Sequence, residues 1–106
     1  MRTRGRTDRN HTDIVRALRQ AGCSAVSLAS IGYGCPDVLV GYMGTCPHCH
    51  QSLPMNMCLE IKDELAKPSE RRMTALELEF HERWRGPIAV VQSVTHAFRA
   101  LGLKIK

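Results

Sequence analysis

Aromatic side chains are scarce. Trp84, Tyr33, Tyr42, Phe80 and Phe98 are the whole set in 106 residues. So few rings do not build a stacking platform, which argues against sequence-tolerant single-strand binding as the main activity. Long apolar runs are missing as well. None is long enough to span a bilayer, and the first residues lack the apolar stretch of a secretory leader. A soluble, cytoplasmic protein with no membrane partner is expected. Acidic residues are in deficit, with 10 Asp and Glu against 15 Lys and Arg, for a formal charge of +5. That surplus favours a polyanionic partner, because neutralising phosphates releases their counterions. An even set of cysteines is also lacking. Cys23, Cys35, Cys46, Cys49 and Cys58 cannot all pair, so reduced thiols or metal ligands are expected instead of a disulfide framework.

Hydrophobic residues make up 43% of the chain, enough for a globular domain, and the length fits one modest core. Residues 1–7, "MRTRGRT", read as a basic arm. The single domain then runs over 8–106. A helix is expected from Asp8 to Ala21, where Ile14, Val15, Leu18 and Ala21 recur at helical spacing and Gly22 supplies a terminator. "CSAVSLAS" reads as a first strand, "IGYG" as a turn and "PDVLVGYM" as a second strand. Pro36 opens that strand, where a missing N–H is tolerated. Residues 44–56, "GTCPHCHQSLPMN", read as a Cys/His-rich loop inserted in a hairpin, and "MCLEIK" as the third strand. "DELAKPSERRM" reads as a loop. Thr74 and Glu77 have capping-box spacing, and the helix they open carries Leu76, Phe80 and Trp84 on one side. "IAVVQ" suits a buried central strand, and Ser93 can cap a last helix ended by Gly102. The order helix, three strands, helix, strand, helix describes a three-layer α/β domain with a central mixed sheet.

"CLEIKDE" at 58–64 places two charges inside an apolar strand. Strand alternation puts Cys58, Glu60 and Lys62 on one face and Met57, Leu59 and Ile61 on the other. If the second and third strands form a hairpin, Asp37 approaches Glu60 with Lys62 beside them. Two carboxylates and an ammonium suit phosphodiester hydrolysis. The acids and the Ile61 carbonyl offer hard oxygen ligands to Mg²⁺, and the lysine orients water or stabilises developing negative charge. An E-x-K by itself is weak, since charged residues usually face water. A Pro-Asp after a glycine turn, ahead of "EIK", strengthens it.

"GCPDVLVGY" followed by "CLEIKDE" resembles the core of the PD-(D/E)xK nuclease superfamily. Within it, the pattern is similar to the small stand-alone VRR-NUC domains of phages and prophages and to their relatives, the archaeal Holliday-junction resolvases. The resemblance takes in "DRNHTDIVRALRQAGCSAVSLASIGYG" before the motif and "RRMTALELEFHERWRGPIAVVQSV" after it. It implies a restriction-endonuclease-like fold and Mg²⁺- or Mn²⁺-dependent DNA cleavage, possible structure selectivity on branched or flapped DNA included. By it Asp37 is the motif's aspartate, Glu60 its second acid and Lys62 its lysine. The family usually adds an acid from the first helix, and Asp8 and Asp13 are both candidates, with His11 where many relatives have Gln or Glu. His11 shares a face with Ile14, Val15 and Leu18, and Asp8 continues that face, whereas Asp13 lies about 200° round the helix from His11. Asp8 and His11 are therefore expected near the site, and Asp13 in solvent. The same resemblance makes a homodimer reasonable, since symmetric cutting of both strands needs two sites.

Lys67, Arg71 and Arg72 follow the motif and are candidates for holding the DNA backbone, though an ordinary solvated loop has the same look. Phe80 and Trp84, four apart, are expected in the core. "CPHCH" is a zinc half-site in form, and Cys46, Cys49, His50 and Cys58 offer four ligands to a structural Zn²⁺. Two further classes stay open: a catalytically weak nucleic-acid-binding module of the same fold, and a zinc-stabilised interaction domain.

Overall fold

The computed structural model describes residues 9–104. Asp8 and the basic arm at 1–7 lie outside the described residues. The first helix, α1 (Arg9–Gln20), is followed by β1 (Ser24–Ser27), β2 (Val38–Thr45) and β3 (Ser52–Ile61). A single turn, α2 (Pro68–Arg71), precedes α3 (Ala75–Arg83), β4 (Ile88–Val91) and α4 (Val94–Leu101). The strands form one mixed sheet in the order β1-β2-β3-β4. β1, β2 and β3 run antiparallel in turn, and β4 is parallel to β3. A parallel pair needs a long crossover, and residues 62–87 supply it.

The helices begin and end where local chemistry dictates. Gly22 takes φ +97° after α1, and the amide of Cys23 reaches back to the Leu18 carbonyl. Thr74 and Glu77 form a complete capping box on α3. Ser93 Oγ accepts from the His96 amide, and Gly102 closes α4 in the left-handed conformation. Ile14 and Leu18 of α1 and Ala97 and Leu101 of α4 are spaced four apart, so each pair shares a helix face. They meet Val38 and Val40, Leu59 and Ile61, and Val91 in one core on a single face of the sheet.

The opposite face is covered differently. α3 has no buried residue, and Leu76 and Leu78 are exposed. Phe80 and Trp84 stack on each other with ring centroids 5.2 Å apart, but Trp84 is 47% exposed, so the expectation of a core pair is corrected. The reason is that α3 is seated by polar and backbone contacts at its N-terminal end, not by its apolar stripe.

Two further expectations change. "IAVVQ" is not central: among the described residues β4 is the last strand of the sheet. A continuous apolar run reports that a strand's faces are covered, not that it has neighbours on both edges. Residues 44–56 are not a loop either. The β2–β3 ladder runs on through Thr45↔Ser52, leaving only 46–51 as the connection. Pro54 fits inside β3 because β4 pairs only with Cys58–Ile61, so near Pro54 one edge of β3 is open.

Candidate active site

The hairpin register creates the site. Val38 pairs with Leu59 at the last rung of the ladder, so Asp37, just before it, and Glu60, just after it, come together on the face away from the core. The Asp37 amide donates to the Leu59 carbonyl at 2.9 Å, and Asp37 Oδ2 accepts from the Ile61 amide at 2.7 Å. The Ile61 amide thus fixes the carboxylate at the mouth of the hairpin. Glu60 is 2% exposed and its Oε1 is buried without a hydrogen-bond partner. Burial pushes its pKa up to about 9, the charges of Asp37 and Glu77 and a hydrogen bond with Asp37 push the same way, and Lys62 opposes them. Glu60 therefore holds its proton at neutral pH.

Lys62 is 8% exposed and is the positive centre of the cluster. Its Nζ donates to Glu77 Oε1 at 2.9 Å and lies 3.7 Å from Glu60 Oε2. Desolvation acts against its charge. The hydrogen bond to Glu77 and the charges of Glu77, Glu60 and Asp37 outweigh that, so its pKa is raised. Lys62 is therefore an ammonium at neutral pH. It can donate hydrogen bonds and stabilise negative charge, but it is no proton acceptor.

Glu77 is the site residue that sequence reasoning missed. The capping-box signal accounted for it completely, and nothing in the spacing announced a second partner. Its Oε1 accepts both the Thr74 amide and Lys62 Nζ, each at 2.9 Å. Desolvation raises its pKa, but the Thr74 amide and the contacts with Lys62 bring it below the usual value. One turn further along α3, His81 is half-buried with Nε2 unpartnered, and burial lowers its pKa, as does Lys62, while Glu77 opposes the change. Asn10 was also missed. Its Nδ2 donates to the carbonyls of Lys62 and Gln92 at 3.2 and 3.0 Å, tying α1 to the ends of β3 and β4.

The glycine turn ahead of Asp37 explains how α3 reaches the sheet. Gly32, Tyr33 and Gly34 all have positive φ, of 77°, 60° and 79°. A Cβ on Gly34 would overlap the Leu76 carbonyl and crowd the Glu77 amide, so the α3 backbone is seated directly on this turn. Gly34→Ala is expected to cost at least about 1–3 kcal/mol through the left-handed strain, with the overlap adding to it. Thermal unfolding checks this. An unchanged melting temperature would mean that α3 is not held there.

The remaining candidates are distributed as follows. His11 lines a groove of about 600 Å³ with Thr12, Arg16, Arg19 and Ser27 on the outer side of α1. Asp13 is solvent-facing, 3.7 Å from Arg16, as expected. Lys67 and Arg72 are exposed, and Arg71 is half-buried with a long contact of 3.5 Å from Nη1 to the Glu64 carbonyl. Cys58 joins the site, not the cysteine loop. Strand alternation puts Cys58 on the face of Glu60, and the pKa of Cys35 is raised by burial and then by Cys58, Glu60 and Asp37. Cys58 pairs with Leu39, whereas Cys46 lies just beyond Thr45↔Ser52. Six steps along β3 separate Ser52 from Cys58, about 20 Å at about 3.4 Å each. Zinc-bound sulfurs sit about 4 Å apart, so the set Cys46, Cys49, His50 and Cys58 is corrected: one chain cannot bring it to one ion.

Comparison of the chain with protein families, with curated proteins and with solved structures finds no match in any of the three.

Proposed function

We propose that this chain is a metal-dependent DNA endonuclease with a restriction-endonuclease-like fold of the PD-(D/E)xK type. The observation that carries the reading is the buried cluster itself: Asp37 beside Glu60, with Lys62 bonded to Glu77 at their side. A structural strand has no use for an inward glutamate whose Oε1 lacks a partner. That orphaned oxygen, the adjoining Asp37 carboxylate and the Ile61 carbonyl form a hard donor set. It fits Mg²⁺ or Mn²⁺, which need only one or two carboxylates and keep several waters. Such an ion, when bound, neutralises charge on a phosphodiester and acidifies a water.

The protein's own groups do the rest. The Ile61 amide holds Asp37 in place, and Glu77 holds the Lys62 ammonium beside Glu60. Lys62 donates to the attacking water or to the phosphate oxygens as negative charge grows. The formal charge of +5, with exposed Lys67 and Arg72 beyond the motif, favours DNA as the polyanion.

The test is cleavage of plasmid, flap and four-way-junction DNA. Activity is expected with Mg²⁺ or Mn²⁺, to vanish with chelator, and not to return with Ca²⁺, whose looser coordination suits this chemistry poorly. Asp37→Ala and Glu60→Ala are expected to abolish it. Tight DNA binding with no cleavage on any substrate would instead make the chain a binding module of this fold.

A further inference from the structure

The β2–β3 hairpin outruns its neighbours. β1 pairs with β2 only as far as Gly41, and β4 pairs with β3 only over Cys58–Ile61. The four pairs from Tyr42↔Met55 to Thr45↔Ser52 therefore form a two-stranded ribbon that leaves the sheet. A bare two-stranded ribbon is marginal in water. At its tip is "CPHCH". The Cys46 amide donates to the Gln51 carbonyl and the His50 amide to the Cys46 carbonyl, each at 2.9 Å, and His50 takes φ +63° to close the turn. The backbone N–H groups of Cys49 and His48 are directed at the Cys46 sulfur. Two thiols are thus held together with amide dipoles aimed at one of them, as a thiolate–metal pair requires.

The half-site has no completion among the described residues. Among the described residues no group of three His, Cys, Asp or Glu side chains is placed to hold a metal, and Cys58 is committed to the other end of the ladder. Soft thiolates select zinc, and a structural zinc takes four ligands. The tip is exposed, and from Val38 to Leu59 the sequence has no Asp, Glu, Lys or Arg, so two tips meet without like-charge repulsion. Met43, 57% exposed, and its exposed cross-strand partner Pro54 give one face of the ribbon an apolar surface for a second hairpin to cover.

We propose that Cys46 and Cys49 of one protomer and the same two residues of its partner bind a single Zn²⁺, joining two copies of this chain hairpin to hairpin. On binding, the thiols that are still protonated release their protons to solvent. The cysteine pair takes no part in the Asp37–Glu60–Lys62 chemistry, so loss of either leaves the other intact.

The experiment uses the full chain purified in a non-thiol reductant without chelator. Elemental analysis is expected to find about half an equivalent of zinc per chain, and sedimentation velocity a dimer. A strong chelator is expected to give zinc-free monomer, and added Zn²⁺ to restore the dimer. Cys46→Ser and Cys49→Ser are expected to be monomeric with unchanged far-ultraviolet circular dichroism, which separates loss of the site from loss of the fold. Cobalt substitution is expected to give the intense charge-transfer absorption of a four-thiolate site. One zinc per monomer would overturn the proposal in favour of a closed intrachain site. A zinc-free protein, or a dimer indifferent to chelator and to both serine variants, would overturn it too.

Discussion

A Lys62→Ala protein is expected to lose at least about a hundredfold in Mg²⁺-dependent DNA cleavage while its affinity for DNA changes little. The magnitude is that of removing one positioned donor from a developing negative charge. The asymmetry follows from where Lys62 sits. It is 8% exposed and locked against Glu77, so it contributes little to the outer field that gathers DNA, which is shared among many basic residues. Glu77→Gln refines the test. Glutamine still serves in a capping box, so α3 keeps its start, but the ion pair that holds Lys62 is gone. A smaller loss, about tenfold, is expected, with no large fall in melting temperature. Equal cleavage by wild type and Lys62→Ala would assign the activity to a contaminant or another site.

The parts of this site that are legible in the sequence are those set by alternation and turn chemistry. Glu60 and Lys62 share a face because strand side chains alternate, and Asp37 meets Glu60 because one hairpin fixes the register. Thr74, Ser93 and Gly102 each announce a helix end through a local bond that the fold then makes. Glu77 is illegible for the opposite reason. Its local role as a capping residue is sufficient, and its second role depends on a turn more than forty residues earlier that seats α3 on Gly34. Phe80 and Trp84 mislead in the same manner: their spacing marks a helix face, but nothing local says what covers it. The cysteine loop shows a third kind of limit. "CPHCH" identifies the half-site, but only the ladder length shows that Cys58 is at its far end.

Glu60→Gln is expected to flatten the alkaline side of the stability profile in chelator. The sign follows from proton linkage. Glu60 has a pKa of about 9 in the fold, against an ordinary value of 4.5 when unfolded. Between those values the folded chain binds more protons than the unfolded one, so stability falls as pH rises. The contribution is fully present below the unfolded value and lost on passing through the folded one. The slope approaches roughly 1.4 kcal/mol per pH unit in mid-window. Glutamine is neutral throughout and similar in shape, so wild type and variant should melt alike near about pH 4–5 and diverge above, the variant being the more stable by about pH 8–9. Groups common to both proteins cancel in the difference, which isolates the proton on Glu60. A bound divalent ion replaces that proton, so Mg²⁺ or Mn²⁺ should raise the wild-type melting temperature more at high pH than at low pH. The Gln variant should respond far less. Thermal unfolding across pH, with chelator and with Mn²⁺, reads both effects. Parallel profiles for the two proteins in chelator would show that Glu60 is not the buried, proton-holding acid on which the metal site depends.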